Sequence, residues 1–188
     1  LGPLVNPAKP KFSMIGVYSL EIARLYQYIL QKNNEDFMLV HALDGYDEIS
    51  LTGDTKIFNK NGEEIFSATE LGFKNIEAES IFGGNTKEEA AKIFRNILEG
   101  KGTYEQNSVV LANAAKALQN TGKFENYEAS LAAAKESLEK FNSIIQKYDI
   151  EKEAIKSFKF LEEKKQAGID IDVFQTFVLY FENENHTV

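Results

Sequence analysis

Cysteine is absent from the 188 residues of this chain, which excludes disulfide bonds and metal sites built from thiolates. A cysteine-free composition fits the reducing cytoplasm, where we expect the protein to lie. Long apolar runs are also absent, and none approaches the roughly eighteen residues that a membrane helix needs. The longest apolar stretch, Val173–Phe181, is interrupted by Gln175 and Thr176. We therefore predict no membrane-spanning segment.

Positive charge is scarce, since 21 Lys and Arg residues stand against 29 Asp and Glu residues, for a formal net charge of −8. Nucleic-acid binding needs clustered Lys and Arg against the phosphates, so this balance argues against such a partner. It does not exclude an anionic substrate, which a local pocket or a metal ion can hold.

The N-terminus, Leu1-Gly2-Pro3-Leu4, has neither an initiator Met nor a basic-then-apolar signal segment. We therefore expect the sequence to be the middle of a longer polypeptide. All three prolines lie at positions 3, 7 and 10, so residues 1–11 are predicted to form an irregular loop.

Strand and helix signals alternate in the next part of the chain. Phe12–Tyr18 is predicted to be a short buried strand in which Gly16 allows close backbone approach. Ser19 is a good N-cap for a helix, and Phe37–Ala42 is a second apolar strand. This order predicts a right-handed βαβ unit with parallel strands.

A hairpin and three helices are predicted further along. Asn61-Gly62 lies between two short strand-like segments, and both residues would take positive φ in a tight turn. Thr86 and Glu89 predict a capping box at the start of a helix. Ser108–Leu118 is small and apolar nearly all round, so we expect that helix to be deeply buried. The third helix is long and amphipathic, with apolar positions at Tyr127, Leu131, Ala134, Leu138, Phe141 and Ile145.

The fold class that follows is α/β, with a mostly parallel sheet flanked by helices and a β-hairpin insertion. We predict that residues 1–148 form a partial α/β domain. The tail, residues 149–188, differs in composition from the rest of the chain. Glu151–Gln166 is rich in Lys and Glu, and Val173–Phe181 has strand-like composition. We expect this helix-plus-strand tail to pack on the same domain.

Acidic residues follow the second strand directly, in the run Asp44-Gly45-Tyr46-Asp47-Glu48. Ligands of open α/β sheets bind beyond the carboxyl ends of strands. The adjacent carboxylates of Asp47 and Glu48 point in different directions. This suits bridging hydrated Mg²⁺ ions through one carboxylate each, with substrate phosphates as further ligands. By spacing alone, a solvated acidic turn is the favoured interpretation.

Other candidate residues have simpler interpretations. His41 ends an apolar strand, and no Ser, Cys or second His is placed to form a triad or metal site with it, so a supporting role is predicted. Gly83-Gly84-Asn85 precedes the capped helix, where an anion site is possible and a helix-entry turn is favoured. We identify no catalytic residue in the sequence.

Several motifs occur in the order found in anthranilate phosphoribosyltransferases: LGPLVNPA, GVYS, VHALDGYDEIS, GG before a helix, and VVLANAAKAL. The chain resembles this family from about residue 1 to residue 145, most specifically in Leu1–Ala8 and Asp44–Ser50. Pyrimidine nucleoside phosphorylases share the fold but fit these two segments poorly.

The resemblance implies the C-terminal domain fold of the nucleoside phosphorylases and phosphoribosyltransferases. It implies transfer of phosphoribosyl from phosphoribosyl pyrophosphate (PRPP) to the amine of anthranilate, with Mg²⁺ and release of pyrophosphate, in tryptophan biosynthesis. Asp47 and Glu48 match the family's acidic pair that holds Mg²⁺ against PRPP. PRPP and anthranilate are the implied partners, and the full-length protein is expected to be a homodimer.

The resemblance also implies missing parts. The family's glycine-rich PRPP loop, its Lys-His-Gly-Asn segment, its anthranilate-binding arginine and its N-terminal helical domain would all precede Leu1. Neither Arg24 nor Arg95 matches that arginine, so we expect the isolated chain to be inactive. The competing interpretations are a non-catalytic binding module and a paralogue with another acceptor, each retaining the fold.

Overall fold

The computed structural model describes Leu4 and residues 10–148, with side chains up to residue 140. The chain divides into residues 1–143 and residues 144–188, and all that follows concerns the first unit apart from the end of the last helix. The described elements are, in chain order, β1 (Phe12–Gly16), α1 (Leu20–Lys32), β2 (Asp36–Ala42), β3 (Thr55–Asn59), β4 (Gly62–Phe66), a 3-10 helix (Ala78–Ile81), α2 (Lys87–Leu98), α3 (Tyr104–Asn120) and α4 (Tyr127–Tyr148).

The strands form one sheet in the order β1-β2-β3-β4. β1 and β2 pair in parallel, as predicted, with Phe12 opposite Asp36 and Gly16 opposite Val40. β3 pairs antiparallel with both β2 and β4. The α/β class is confirmed, but the sheet, predicted to be mostly parallel, is mixed in the described residues. The reason is that no helix connects β2 to β3 or β3 to β4, and connections without a crossover join antiparallel strands.

β2 is the central strand of the core, because Phe37–Ala42 is buried throughout. Its side chains alternate between two apolar clusters. Phe37 and Leu39 join the cluster that contains Ala23 and Leu30 of α1. Met38 and Val40 join the cluster that contains Ala112 of α3. β2 therefore has a helix on each face, which explains why its sequence is a continuous apolar run rather than an alternating one.

Helix α1 begins as predicted. The Ser19 side chain accepts a hydrogen bond from the Ile22 N–H at 3.3 Å, which satisfies one of the free donors of the first turn. At the other end, Asn34 takes a left-handed φ of 55°, and the Glu35 N–H donates to the Leu30 carbonyl at 3.1 Å. This C-terminal cap turns the chain directly into β2.

The predicted hairpin exists, but its turn differs from the prediction. Asn59 pairs with Gly62, so the central residues are Lys60 and Asn61 rather than Asn61 and Gly62. Only Gly62 of these four has a positive φ, 147°. The Asn59 side chain explains the difference, because its oxygen accepts from the N–H groups of Asn61 at 2.8 Å and Gly62 at 3.2 Å. That the hairpin is an insertion stays a prediction.

Helix α2 begins at the predicted cap, with the Glu89 N–H donating to Thr86 Oγ1 at 3.2 Å. The return bond of Glu89 goes to the Asn85 N–H instead of to Thr86, so the predicted capping box is only half formed. A complete capping box opens α3, between Thr103 and Gln106, and the sequence analysis missed it.

Helix α3 is less buried than predicted. Its buried residues are only Ser108, Ala112, Ala115 and Lys116, and Val110 is 39% exposed. Alanine on one face lets the helix approach the sheet closely, while the opposite face carries apolar side chains that remain partly open to solvent.

Two sets of sequence predictions fall outside the described residues. They are the tail beyond residue 148 and, apart from Leu4, the LGPLVNPA segment. The division into a domain of residues 1–148 and a packed tail therefore stays a prediction. Within the described part of the chain, no helix has the length and apolar character needed to span a membrane.

The end of β1 meets the acidic segment at Gly16. A Cβ atom on Gly16 would overlap the Asp47 carbonyl oxygen and would lie 2.9 Å from the Asp47 carbonyl carbon. The close backbone approach predicted for this glycine is therefore present, and its partner is the residue proposed to bind metal.

We predict that Gly16→Ala lowers the free energy of unfolding by about 1–3 kcal/mol, because rigid backbone must move to admit the methyl group. Urea denaturation of the chain measures this. Gly83→Ala is the matched control, since a Cβ there meets no atom within 4 Å, and it should leave stability nearly unchanged. Equal stability of the two variants would contradict the contact.

Candidate functional site

Residues 43–54, here called the acidic loop, connect β2 to β3 at the carboxyl end of the parallel pair β1 and β2. The Leu43 N–H donates to the Asp54 carbonyl at 2.8 Å and closes the base of the loop. Within it, the Ala42 N–H donates to the Tyr46 carbonyl and the Gly45 N–H to the Ala42 carbonyl, each at 2.9 Å. Gly45 has a φ of 108°, which only glycine adopts without strain.

Asp44 braces this loop. Its carboxylate accepts hydrogen bonds from the hydroxyls of Ser50, at 3.4 Å, and Thr52. Thr52 Oγ1 also lies 2.8 Å from Ser50 Oγ, the Thr52 N–H donates to Ser50 Oγ at 3.3 Å, and a Cβ on Gly53 would lie 3.0 Å from the Asp44 carboxyl carbon. Of the three acidic side chains in the run, Asp44 therefore differs from Asp47 and Glu48, because its carboxylate is bonded within the loop.

The loop is tied to helix α3 through one side chain that the sequence analysis missed. Asn113 Oδ1 accepts from the Ile49 N–H at 3.0 Å, and Asn113 Nδ2 donates to the Ile49 carbonyl at 2.9 Å. Ile49 is fully buried. The available sequence signal was a polar residue inside the small, apolar VVLANAAKAL segment, which predicts a specific internal partner.

Asp47 and Glu48 are exposed, and within the described part of the chain neither carboxylate has a hydrogen bond or an ion pair. Desolvation by the surrounding protein raises the pKa of the Glu48 carboxyl, and the negative charge of Asp47 raises it further. The structure thus leaves two like charges adjacent and uncompensated, which is the electrostatic setting that a cation would relieve.

The donor set fits a hard cation. Carboxylate oxygens are the ligands that Mg²⁺ prefers, and Mg²⁺ retains several water or substrate oxygens when one or two carboxylates bind it. Among the described side chains, no group of three or more His, Asp or Glu converges to form a complete metal cage. Two open carboxylates therefore suit a metal that arrives with an oxyanion substrate.

His41 has the supporting position that its sequence context predicts. It is 7% exposed, and its Nδ1 lies 2.8 Å from the Val17 carbonyl. A carbonyl only accepts, so Nδ1 carries the proton and donates. This bond, together with the Val17 N–H to Val40 carbonyl bond at 3.0 Å, holds the end of β1 against β2.

The helix entry at Gly83-Gly84-Asn85 is an ordinary turn, as favoured from the sequence. The Asn85 N–H donates to Glu89 Oε2 at 2.6 Å, and Gly84 takes a φ of 91° close to that side chain. Because Glu89 already places a carboxylate at this helix N-terminus, the donors there are used within the chain.

A cleft of about 710 Å³ lies at the opposite end of β1 and β2, where Phe12 and Asp36 begin these strands. The Lys116 ammonium in its wall lies 3.7 Å from the centre of the Phe66 ring and 5.0 Å from that of Tyr127, and donates to Gln119 at 3.1 Å. Burial lowers the pKa of Lys116 and raises the pKa of Tyr127 to about 12. Cation–π contacts offset part of the cost of burying this charge.

Curated relatives are similar to this chain over most of its length. The anthranilate phosphoribosyltransferase of Christiangramia forsetii is 48% identical over 139 residues, covering 74% of this chain and 42% of the relative. That of Flavobacterium johnsoniae is 47% identical over 138 residues, covering 73% and 42%. The resemblance inferred from the motifs is thus confirmed, and the chain spans less than half the length of these relatives.

Solved structures give the same fold. Anthranilate phosphoribosyltransferase from Thermus thermophilus matches with a TM-score of 0.67 at 27% identity, covering 77% of this chain and 43% of that one. The enzyme from Saccharomyces cerevisiae, solved in complex with PRPP and Mg, also matches with a TM-score of 0.67, at 23% identity, covering 77% and 42%.

The family model that matches describes the a/b domain of a glycosyl transferase family, and the match extends over residues 1–143. That range contains the whole sheet, the acidic loop and helix α3. On this match, the chain belongs to the glycosyl transferase family.

Proposed function

We propose that the chain is part of an anthranilate phosphoribosyltransferase, which transfers phosphoribosyl from PRPP to the amine of anthranilate in tryptophan biosynthesis. The relatives at 47–48% identity carry that activity in their names. The observation that carries the proposal is the acidic pair Asp47 and Glu48, open and uncompensated beyond the carboxyl end of the parallel strands.

The proposed reaction breaks the bond between C1 of the ribose and the pyrophosphate oxygen and forms a bond between C1 and the anthranilate nitrogen, which releases a proton. Negative charge grows on pyrophosphate, and Mg²⁺ would supply its neutralisation. Asp47 and Glu48 would hold that cation through their free carboxylate oxygens. Asp44 would keep the loop in shape by accepting from Ser50 and Thr52.

No nucleophilic side chain is needed in this scheme. The amine of anthranilate is of the aniline type, weakly basic and unprotonated at neutral pH, so it attacks without prior removal of a proton. The buried, hydrogen-bonded His41 therefore has a structural part in the proposal and no part in proton transfer.

The proposal concerns the complete enzyme, since the chain spans about 42% of the length of its relatives. We propose that residues 1–188 alone do not catalyse this reaction. The arginines of the chain, Arg24 and Arg95, lie exposed on α1 and α2, away from the acidic loop in sequence, and we assign neither to anthranilate. We further propose a cytoplasmic homodimer that binds no nucleic acid and no membrane.

The direct test is the loss of anthranilate fluorescence on addition of PRPP and Mg²⁺ to the complete enzyme that carries this sequence. Loss that requires both additions supports the proposed reaction. No loss from a folded enzyme would refute it and would favour a binding module or a paralogue with another acceptor.

We predict that Asp47→Ala and Glu48→Ala in the complete enzyme each lower kcat by about tenfold or more and raise the Mg²⁺ concentration needed for half-maximal rate, because a metal ligand is lost. Steady-state rates over a Mg²⁺ series measure both effects. Glu125→Ala is the control, since it removes an exposed carboxylate beyond the far end of α3. Unchanged kinetics in both variants would refute the assignment of Asp47 and Glu48 as Mg²⁺ ligands.

We also predict that Glu48→Gln stabilises the metal-free chain at neutral pH, by no more than about 1 kcal/mol because solvent screens exposed charges. The pKa of Glu48 is higher in the folded than in the unfolded chain, so its ionisation disfavours the folded state. The gain in stability of Glu48→Gln over the unchanged chain should therefore be absent below pH 4.5, where the Glu48 carboxyl is protonated in the folded and the unfolded chain. It should appear as the pH rises through the pKa that Glu48 has in the folded chain.

Thermal unfolding in EDTA at the two ends of this pH range measures the difference between Glu48→Gln and the unchanged chain. If Glu48→Gln is less stable than the unchanged chain at neutral pH, Glu48 has a stabilising partner in the protein, and its carboxylate is not free to bind a cation.

A further inference from the structure

We propose that Asn113 is a positioning residue for the metal site, acting through the backbone of Ile49. This inference rests on the proposed function of Asp47 and Glu48. It assigns to helix α3 the task of fixing where these two carboxylates lie, although Asn113 contacts neither of them.

The geometry is a two-point clamp. Asn113 uses its oxygen on the Ile49 N–H and its nitrogen on the Ile49 carbonyl, at 3.0 and 2.9 Å. A single amide that binds both backbone groups of one residue fixes the peptide planes on either side of it. The plane before Ile49 includes the Glu48 carbonyl, so the clamp restrains the residue that bears the carboxylate.

Asn113 is itself held in place. Its nitrogen also donates to the Val109 carbonyl at 3.0 Å, one turn earlier on the same helix, which orients the amide plane. Ala112, the preceding residue, is completely buried in the cluster that contains Met38 and Val40 of β2. The clamp therefore connects the acidic pair to the rigid helix–sheet core.

The loop has a matching restraint on its other side, where the Asp47 carbonyl packs on Gly16. After the pair, Ile49, Ser50 and Leu51 are all buried, and the Leu51 carbonyl accepts from the Ile76 N–H at 3.1 Å. The two exposed carboxylates thus lie on a short segment whose backbone is fixed before and after them, an arrangement that presets the geometry for a cation.

The test compares Asn113→Ala with Asn120→Ala in the complete enzyme. Asn120 lies on the same helix and also makes a hydrogen bond to sheet backbone, from its Nδ2 to the Ser13 carbonyl at 3.2 Å, but at the opposite end of β1. We expect Asn113→Ala to raise the Mg²⁺ concentration for half-maximal rate by about tenfold, as loss of a supporting partner does at metal sites. Asn120→Ala should leave it unchanged.

Hydrogen exchange gives a readout that needs no turnover. Exchange over residues 44–50 should be faster in Asn113→Ala than in the unchanged enzyme, and unaltered in Asn120→Ala. If the alanine variant does not fold, Asn113→Gln keeps the amide one methylene further out, and it should shift both readouts in the direction expected for Asn113→Ala.

A double-mutant cycle decides whether Asn113 acts through the pair. In a Glu48→Gln background, Asn113→Ala should have little further effect on Mg²⁺ dependence, because the group being positioned is already changed. Full additivity, or faster exchange with unchanged Mg²⁺ dependence, would overturn the positioning role while the proposed reaction stands. Absence of Mg²⁺-dependent turnover in the unchanged enzyme would instead refute the proposed function and this inference with it.

Discussion

The position of the acidic pair depends on backbone contacts rather than on its own side chains. On one side, Gly16 admits the Asp47 carbonyl into space that any other residue would fill. On the other, Asn113 holds both backbone groups of Ile49. Each contact leads to a different layer of the fold, since Gly16 ends β1 and Asn113 belongs to α3. Within the described residues, the carboxylates of Asp47 and Glu48 can therefore stay free, because no described group uses them as partners.

This freedom has an electrostatic cost. Partial desolvation raises the pKa of the Glu48 carboxyl, and repulsion by the adjacent Asp47 carboxylate raises it further. The neighbouring Asp44 shows the alternative, because its carboxylate is satisfied by the hydroxyls of Ser50 and Thr52 within the same loop. Two adjacent carboxylates without a partner among the described side chains, next to an acid that has partners, are typical of a site that gives up stability for function.

What the sequence predicts well here is local. The Ser19 cap and the hairpin follow from residues that act on their immediate neighbours. The close approach at Gly16 follows from the glycine itself, but the sequence does not identify its partner, Asp47. The predictions fail where a particular side-chain hydrogen bond or a segment distant in sequence determines the local structure. The Asn59 side chain selects the residues of the hairpin turn, and the mixed sheet follows from connections whose length and path a period-based argument does not fix. The Asn113 clamp spans 64 positions, so the local pattern indicates a polar side chain with an internal partner but does not identify Ile49 as that partner.

Under the proposed function, we expect the metal and the substrates to be held by different parts of the complete enzyme. Carboxylates favour Mg²⁺ but repel the phosphates of PRPP, so an acidic loop binds that substrate only through the cation. Phosphate and carboxylate groups of substrates need donors such as Lys, Arg or backbone N–H groups. Next to the pair, the Ile49 N–H donates to Asn113 Oδ1, and Asn113 Nδ2 donates to the carbonyls of Ile49 and Val109, so these donors are already used within the chain. Under the proposed function, we therefore expect those donors elsewhere in the complete enzyme, since the aligned region is less than half of the length of the matched relatives.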